Sequence, residues 1–397
     1  MIRLGVIGYG LRASVFINKS LRPVAASKNG LRIVGLVDPN EAQARSALPA
    51  DDHEARFYPD VDSMMRHANP DALFIGTRCN LHTDYAINSL KYNIPLFLEK
   101  PVAVSMEQAL RLEDACESSH CPVLVSFPLR VSPLLRLVEE LLYKGAVGKR
   151  AHILTTNYVT YGTIYWERFF RDYSIAGGLF LQKASHEFDY MMHLMDSPII
   201  RISATTLHAG FFGGDKSDEL HCSVCEERRS CLESPENRRR NESGGSLADH
   251  PCVFSKAVGT PETGTNEDAS NALLDFASGA QGVFTQVFYA RRDAARRGSV
   301  ISGYDGTLDF DWTRNEIMHV RHHAPFTHKT SGGVPQSHFG GDLELARNFI
   351  SMIDSQEEPA CDILSGIRSV YVCLAAREAA RTGTVQKVRQ VGQVVQR

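Results

Sequence analysis

The chain has 397 residues, which is too long for one ordinary hydrophobic core and predicts two domains. Hydrophobic residues make up 43% of the sequence and charged residues 22%, which is typical of a globular protein. A net charge of −3 with dispersed basic residues excludes an electrostatic nucleic-acid surface. No apolar run approaches the roughly 20 residues that span a bilayer, and no secretory leader precedes the first strand pattern, so we expect no membrane partner. Nine cysteines, an odd number spread over the chain, indicate the reducing cytoplasm.

A glycine-rich turn follows the first predicted strand, residues 4–7. The segment Gly8-Tyr9-Gly10-Leu11-Arg12-Ala13 has the G-x-G-x-x-A spacing that dinucleotide-binding proteins place between a strand and a helix. Gly8 permits the tight turn, Gly10 lets the backbone approach a pyrophosphate, and Arg12 adds positive charge at the helix start.

A second strand, residues 31–37, ends in Asp38. A carboxylate there would accept hydrogen bonds from the ribose hydroxyls of NAD and repel the 2′-phosphate of NADP. The alternative for Asp38 is a helix N-cap. We therefore expect NAD as the cofactor and leave NADP open.

Strands at 71–77, 94–98 and 121–127 alternate with helices at 83–92 and 106–117, the second capped by Ser105. This alternation predicts a doubly wound parallel sheet, an α/β Rossmann domain, over residues 1–125. Glu99-Lys100-Pro101 emerges at the carboxyl end of a buried strand, where such sheets bind ligands. A lysine half-buried beside apolar walls loses its proton more easily than a free one, which suits acid/base chemistry at Lys100. The alternative is a surface Glu-Lys pair before a turn.

Taken together, these motifs and the segment from Thr77 to His82 resemble the Gfo/Idh/MocA family of NAD(P)-dependent oxidoreductases, which includes glucose–fructose oxidoreductase and inositol dehydrogenases. The resemblance implies that Lys100 lies beside the nicotinamide and the substrate. It also implies an α+β domain over residues 126–397, with a large, mostly antiparallel open-faced sheet that suits a homodimer or homotetramer. The cofactor-binding residues expected on this basis are Gly8, Tyr9, Gly10, Leu11, Arg12, Asp38, Thr77, Asn80, His82, Glu99 and Lys100.

Segments of period two at 152–158, 199–207, 271–276 and 282–289 predict strands of that second sheet. Between the first two lies a glycine pair followed by Gln182, Lys183, His186 and Asp189. Family members usually carry Asp-x-Gly-x-His here, so the histidine matches while Gln182 replaces the usual aspartate. An imidazole at a helix start suits the exchange of a hydroxyl proton near neutral pH, although such a histidine can also merely cap the helix. Lys183 is a candidate replacement for the missing carboxylate, so the expected catalytic residues are Lys100, His186 and Lys183.

Four residues are candidate substrate contacts. Arg130 stands where the family's chain enters the second domain, and His338 precedes a helix predicted at 343–354. His338 and Asp342 either meet substrate hydroxyls or form the start of that helix. The expected substrate-binding residues are Arg130, Tyr158, Asp189 and His338.

An insertion at about 213–262 stands outside the resemblance and carries four cysteines. Cys222 and Cys225 form a C-x2-C half-site and Cys231 follows closely, while Cys252 lies beyond a polar run at 236–245 that favours flexibility. A structural zinc site, free thiols and a disulfide all remain open.

The sequence thus predicts an enzyme that transfers a hydride between NAD(P) and a hydroxyl or carbonyl carbon of a sugar, cyclitol or glycoside derivative. One alternative is an enzyme with permanently bound, recycled NAD that eliminates or hydrolyses glycosides. Another is a non-catalytic dinucleotide sensor, an alternative that stays open because Gln182 replaces the family's usual aspartate.

Overall fold

A computed structural model describes residues 1–255, 266–331 and 337–393; part of the predicted insertion at 213–262 lies outside them. The strands are β1 Ile2–Ile7, β2 Leu31–Val37, β3 Arg56–Phe57, β4 Ala72–Ile75, β5 Leu96–Leu98, β6 Val123–Val125, β7 Arg150–Tyr158, β8 Ile199–Leu207, β9 Ala269–Phe276, β10 Gln281–Val287, β11 Arg296–Gly303, β12 Gly306–Asp311, β13 Glu316–Arg321, β14 Phe326–Ser331 and β15 Gln386–Lys387. The α-helices are α1 Leu11–Phe16, α2 Arg22–Ala25, α3 Glu41–Ala47, α4 Val61–Ala68, α5 His82–Leu90, α6 Met106–Glu117, α7 Pro133–Tyr143, α8 Ile164–Glu167, α9 Tyr173–Ala176, α10 Ser185–Met195, α11 Pro235–Asn241, α12 Gly341–Ile353 and α13 Ile363–Thr382.

Two compact units divide the chain. The first comprises residues 1–135 with the described parts of 335–371 and 391–397, and the second comprises the described parts of 136–334 and residues 372–390. None of the helices in the described ranges is long and apolar enough to cross a membrane.

The first unit contains a six-stranded parallel sheet in the order β3-β2-β1-β4-β5-β6. Strands β4, β5 and β6 are buried at every position, as expected when both faces of a parallel sheet are covered. The strand order reverses between β1 and β4, and ligands bind outside the carboxyl ends of strands at such a switch point. The predicted Rossmann sheet is confirmed.

An aromatic cluster fixes the helices on this sheet. Phe74 of β4 stacks on Phe97 of β5 with ring centroids 4.7 Å apart, and Phe16 of α1 lies 4.6 Å from Phe97. Phe349 of α12 meets Phe97 edge-on at 5.5 Å. Such pairs add to the hydrophobic stabilisation of their burial, so α12 belongs to the core of the first unit although it lies far along the chain.

The helical segment that separates the glycine turn from β2 and Asp38 is long and irregular. A π-helical stretch, Ile17–Leu21, separates α1 from α2, and a 3₁₀ turn, Ala26–Lys28, follows. The segment is therefore a long, nearly continuous helix with a wide turn inside it.

The second unit contains a nine-stranded sheet in the order β14-β13-β12-β11-β7-β10-β9-β8-β15. Every pair is antiparallel except β7 with β10, so the prediction of a mostly antiparallel sheet is confirmed. Burial alternates along β9 and β10, and α10 packs on the buried face, where Phe188 lies 5.0 Å from Phe284.

Candidate active site

The turn after β1 is held against the residue that follows β4. Gly8 has φ of +81°, and a Cβ on it would lie 2.8 Å from backbone atoms of Thr77. Gly10 caps α1 without a side-chain hydrogen bond, and no atom lies within 4 Å of the place its Cβ would take. Gly8 is therefore required by the close backbone packing, whereas Gly10 keeps an open space at the start of the helix.

Asp38 is oriented by two backbone donors. The N–H groups of Tyr9 and Asn40 each donate to its carboxylate at 2.8 Å. The cap of α3 is Asn40, which accepts from the N–H of Gln43, so the alternative of a cap at Asp38 is wrong. Each carboxylate oxygen has further acceptor capacity, as contact with ribose hydroxyls requires.

The two other predicted cofactor residues of the turn differ in exposure. Tyr9 is buried, and its hydroxyl accepts a hydrogen bond from Asn18 Nδ2 at 3.1 Å. Leu11 is 67% exposed and is accessible to a ligand.

Arg12 binds two carboxylates of the first unit. Its Nε donates to Glu99 at 2.8 Å, and its two terminal nitrogens donate to the carboxylate oxygens of Asp342 at 2.7 and 2.9 Å. Ser126 Oγ donates to the same Glu99 oxygen at 3.1 Å. The guanidinium therefore fixes the residue before Lys100, and its predicted contact with a phosphate stays a prediction.

Asp342 also binds His338, whose Nδ1 lies 2.8 Å from a carboxylate oxygen. Burial alone would raise the pKa of Asp342, but the hydrogen bonds from His338 and Arg12 outweigh it and hold that pKa well below its usual range. The carboxylate therefore stays ionised and orients the imidazole of His338, which is 38% exposed.

His82 connects the loops that follow β4 and β5. Its Nδ1 lies 2.7 Å from the carbonyl oxygen of Pro101, and its Nε2 lies 3.2 Å from that of Thr77. Burial lowers the pKa of His82, and a neutral ring donates to one of these two carbonyl oxygens. Asn80 is held through its carbonyl oxygen, which accepts from Gln108 Nε2 at 2.8 Å. These predicted cofactor residues thus shape the loop backbone.

Lys100 is half-buried directly after β5, and the peptide bond to Pro101 is cis. Its charge acts on two neighbours, Cys79 and His82, at the adjacent end of β4. Burial raises the pKa of Cys79 to about 11, so the thiol stays protonated beside the lysine. The structure therefore places Lys100 at the carboxyl edge of the sheet, as expected.

The remaining candidates of the catalytic set lie in the second unit. Lys183 belongs to a π-helical stretch, Phe180–Ala184, that runs into α10, where His186 and Asp189 are both buried. The ammonium of Lys183 donates to the hydroxyl of Tyr161 at 2.6 Å. Sequence reasoning missed Tyr161, because a tyrosine after a strand carries no spacing signal.

The predicted substrate residues Arg130 and Tyr158 occupy different units. Arg130, in the first, donates to Ser365 Oγ at 3.2 Å and to the carbonyl of Ala360 at 3.5 Å. Tyr158, in the second, ends β7 and is 39% exposed. Their contacts with a substrate stay predictions.

The cysteine segment does not support the zinc prediction. Across residues 1–255, 266–331 and 337–393, no group of three or more His, Cys, Asp or Glu side chains is arranged to hold a metal ion. Cys222 Sγ lies 3.7 Å from His250 Nε2, which is a thiol–imidazole contact and not a metal centre. No disulfide joins the four cysteines, all of which the structure describes.

The flexibility predicted for residues 236–245 is wrong. Helix α11 occupies much of this run, and the side chain of Arg238 in it is fully buried. Its guanidinium pairs with Glu167 at 2.6 Å and with Glu233 at 2.9 Å. Arg238 therefore anchors the helix through an internal ion network, while most of the other side chains of the run are exposed.

Two family models match the chain. Residues 2–127 match the oxidoreductase family with an NAD-binding Rossmann fold, and residues 135–309 match the GFO/IDH/MocA C-terminal domain. Because the matches cover most of the sequence, this chain belongs to the Gfo/Idh/MocA oxidoreductases, the class that the fold and the glycine turn define.

Particular relatives agree with the family. The chain is 25% identical to the protein YteT of Bacillus subtilis (strain 168) over 307 residues, 70% of this chain and 69% of that protein. It is 27% identical to inositol 2-dehydrogenase 2 of Saccharopolyspora erythraea over 149 residues, 37% of this chain and 42% of that enzyme. Levoglucosan dehydrogenase in complex with NADH and L-sorbose shares the fold, with a TM-score of 0.76 at 17% identity over 99% of this chain and 100% of that chain.

The residues of the first unit fit an NAD cofactor. The open space at Gly10 is one that a Cβ would fill, and the oriented carboxylate of Asp38 lies beside the same turn. An uncapped helix start and an acceptor for ribose hydroxyls are what a dinucleotide requires.

Proposed function

We propose that this oxidoreductase transfers a hydride between NAD and a hydroxyl or carbonyl carbon of a sugar, cyclitol or glycoside derivative. The observation that carries the proposal is the position of Lys100, one strand from the switch point at which Gly10 and Asp38 offer a dinucleotide site. Relatives named for inositol and for levoglucosan support the class of substrate.

When bound, the nicotinamide supplies the hydride acceptor or donor. The ammonium of Lys100 donates a hydrogen bond to the substrate oxygen and stabilises the negative charge that develops on it. Glu99, fixed by Arg12 and Ser126, keeps the backbone at Lys100 in place. His186 exchanges the hydroxyl proton, and the substrate is bound by Arg130, Tyr158, Asp189 and His338.

The cofactor preference follows from Asp38, whose carboxylate repels a 2′-phosphate and accepts from ribose hydroxyls. We propose NAD in preference to NADP on this ground. We also propose a cytoplasmic location, because an odd number of cysteines spread over a long chain suits a reducing compartment.

The direct test measures the absorbance of reduced nicotinamide while the protein is incubated with each member of a panel of sugars, cyclitols and glycosides. Lys100→Met should lower turnover by more than about tenfold and leave NADH binding unchanged, because only the proton and charge chemistry is lost. Lys149→Met, at an exposed lysine, is the matched control. Turnover by Lys100→Met within about tenfold of the wild type would contradict the role of Lys100. No turnover by the wild type with any substrate would contradict the proposed function.

We propose a homo-oligomer formed through the open face of the nine-stranded sheet. Leu273, Val283, Leu154 and Val300 are aligned in one row across β9, β10, β7 and β11. Leu273 is 61% exposed and Leu154 is 36% exposed. A continuous apolar row on a broad sheet supports a second copy of the chain as its cover.

A further inference from the structure

A cavity of about 470 Å³ lies in the second unit, between the end of α7 and the strands β13 and β14. Pockets that bind small molecules in proteins have volumes of about 300–1,000 Å³. All of its lining residues belong to the second unit, so the cavity is complete within that unit. Charged, polar and aromatic side chains line it: Lys144, Asp305, His319, Arg321, His323 and Phe326.

Strand pairing places several of these side chains on one face of the sheet. His319 of β13 lies opposite Leu308 of β12, which is fully buried. Arg321 lies two residues beyond His319 and opposite Phe326 of β14, so these side chains share one face. The apolar row that includes Val300 lies on the other face, because the partner of Val300 in β12 is adjacent to Leu308. The cavity is therefore separate from the face proposed for the homo-oligomer.

The two imidazoles that line the cavity are held by backbone carbonyl groups. His319 Nε2 lies 3.0 Å from the carbonyl oxygen of Ala146, and His323 Nε2 lies 3.1 Å from that of Tyr304. The ring of His319 meets the ring of Phe326 edge-on, with centroids 6.4 Å apart. The ring of His323 lies 4.6 Å from that of Tyr304. These contacts fix the wall of the cavity before any ligand binds.

Two opposite charges line this cavity without forming an ion pair. Across residues 1–255, 266–331 and 337–393, no hydrogen bond or ion pair involves the side chain of Arg321 or of Asp305. Lys144, by contrast, pairs with Glu140 of α7. A guanidinium that only donates and a carboxylate that only accepts are therefore both available to one ligand, and their charges cancel.

This lining suits a neutral ring that carries several hydroxyl groups. A hydroxyl both donates and accepts, so one ring can donate to Asp305 and accept from Arg321. Phe326 is 46% exposed and offers an apolar surface to the C–H groups of such a ring. A simple anion would be repelled by Asp305 and by the carbonyl end of α7, and a simple cation would be repelled by Arg321.

We propose that this cavity is a second carbohydrate-binding site, in which a sugar or cyclitol ring lies against Phe326 and forms hydrogen bonds with Arg321 and Asp305. The site is remote from the proposed reaction centre. Ala146 precedes the start of β7 and Tyr158 ends it, and the nine residues of this strand span about 26 Å. The inference therefore goes beyond hydride transfer and does not depend on it.

The test measures binding to the full-length protein by NMR of histidine rings labelled with ¹³C at Cε1. His319→Gln and His323→Gln assign the two resonances that report on the cavity. We expect methyl glucoside and myo-inositol to shift both resonances to saturation, with a Kd between about 0.1 and 10 mM. The absence of a saturable shift with both probes up to about 100 mM would overturn the inference.

Phe326→Ala and Arg321→Met should each raise the Kd at least about tenfold, because each removes a direct contact with the ring. Both residues are exposed, so the fold should tolerate the changes. Phe211→Ala, at a 52% exposed phenylalanine, and Arg314→Met, at a 69% exposed arginine, are the matched controls. A Kd of Phe326→Ala within about twofold of the wild type would contradict the site.

Two further measurements separate this site from other kinds of binding. Gluconate tests for an anion site, and a shift with gluconate but with neither neutral probe would overturn the carbohydrate assignment. Lys100→Met should leave the Kd unchanged, and a tenfold rise in that variant would show that the shifts come from the reaction centre. A wild-type protein that turns over no member of the substrate panel would contradict the proposed function and leave this inference standing.

Discussion

At the scale of single residues, the two glycines of the nucleotide turn face opposite constraints. A Cβ at Gly8, where φ is +81°, would lie 2.8 Å from Thr77, whereas a Cβ at Gly10 would enter open space. Gly8 is therefore required by the fold, and we propose that Gly10 is required by the cofactor.

We predict that Gly8→Ala destabilises the protein by about 1–3 kcal/mol, because alanine is strained at positive φ and its Cβ meets backbone. Gly10→Ala should leave stability within about 0.5 kcal/mol and still weaken NADH binding at least about tenfold, because its Cβ takes the space of the cofactor. Urea unfolding and NADH fluorescence titration measure the two effects. Tight NADH binding by Gly10→Ala would show that the dinucleotide is held elsewhere.

Sequence motifs identified the residues of this edge of the sheet but not their partners. Arg12 lies in the glycine turn, yet it binds Asp342, which is 330 positions away. No local pattern encodes that contact, because it forms only after α12 has packed on the sheet. The contact between Tyr161 and Lys183 was missed for the same reason, since it forms only in the folded chain.

At the scale of elements, α11 depends on a buried arginine. The Arg238 side chain has no exposed surface, and Glu167 beside it is 1% exposed. Removal of one partner leaves an uncompensated buried charge, which is costly even when the intact pair adds little.

We predict that Arg238→Met destabilises the second unit by about 3–5 kcal/mol and that Glu167→Gln in the same chain recovers part of the loss. Urea unfolding and the rate of proteolytic cleavage within Pro235–Asn241 measure this. Arg240→Met on the exposed side of the helix is the control. Cleavage of Arg238→Met no faster than the control would contradict a structural role for the ion network.

Glu267 anchors the bend that leads into the Lys183 stretch, where its Oε2 accepts from the N–H of Leu179 at 3.2 Å. Burial raises the pKa of Glu267 from 4.5 to about 7. Because the folded pKa is the higher one, the stabilisation is complete below the unfolded pKa and is lost as the pH rises through about 7.

Glu267→Gln keeps the acceptor but cannot ionise. We predict that the stability of the variant relative to the wild type increases between about pH 4.5 and pH 7, by up to roughly 3 kcal/mol, and then levels off. Urea unfolding at several pH values measures it, with exposed Glu54→Gln as the control. A stability difference that does not depend on pH would show that Glu267 titrates normally.

At the scale of the whole molecule, the proposed homo-oligomer can be tested at the open face of the nine-stranded sheet. Leu273→Asp should lower the molar mass measured by light scattering to that of the monomer, because a carboxylate in the apolar row cannot be buried against a second copy. Tyr143→Asp, at an 89% exposed residue outside the sheet, should leave the mass unchanged. An unaltered mass for Leu273→Asp, or a monomeric wild type, would refute this interface.

The sequence by itself determined the features that depend on local spacing. The glycine turn, Asp38, the Lys100 strand end and the Ser105 cap of α6 were predicted from positions close in the chain, and the structure confirms the cap through the N–H of Gln108. Strand alternation likewise predicted the parallel sheet, because hydrophobic period and turn residues are local properties.

Only the tertiary structure decided which distant groups meet. It pairs Arg12 with Asp342 and Lys183 with Tyr161, and it buries Arg238 in a segment whose composition indicates flexibility. It also adds five strands, β11 to β15, to the four that the alternation predicts for the second sheet. The physical reason is that burial and ion pairing depend on the elements packed around a group, and no spacing along the chain encodes that packing.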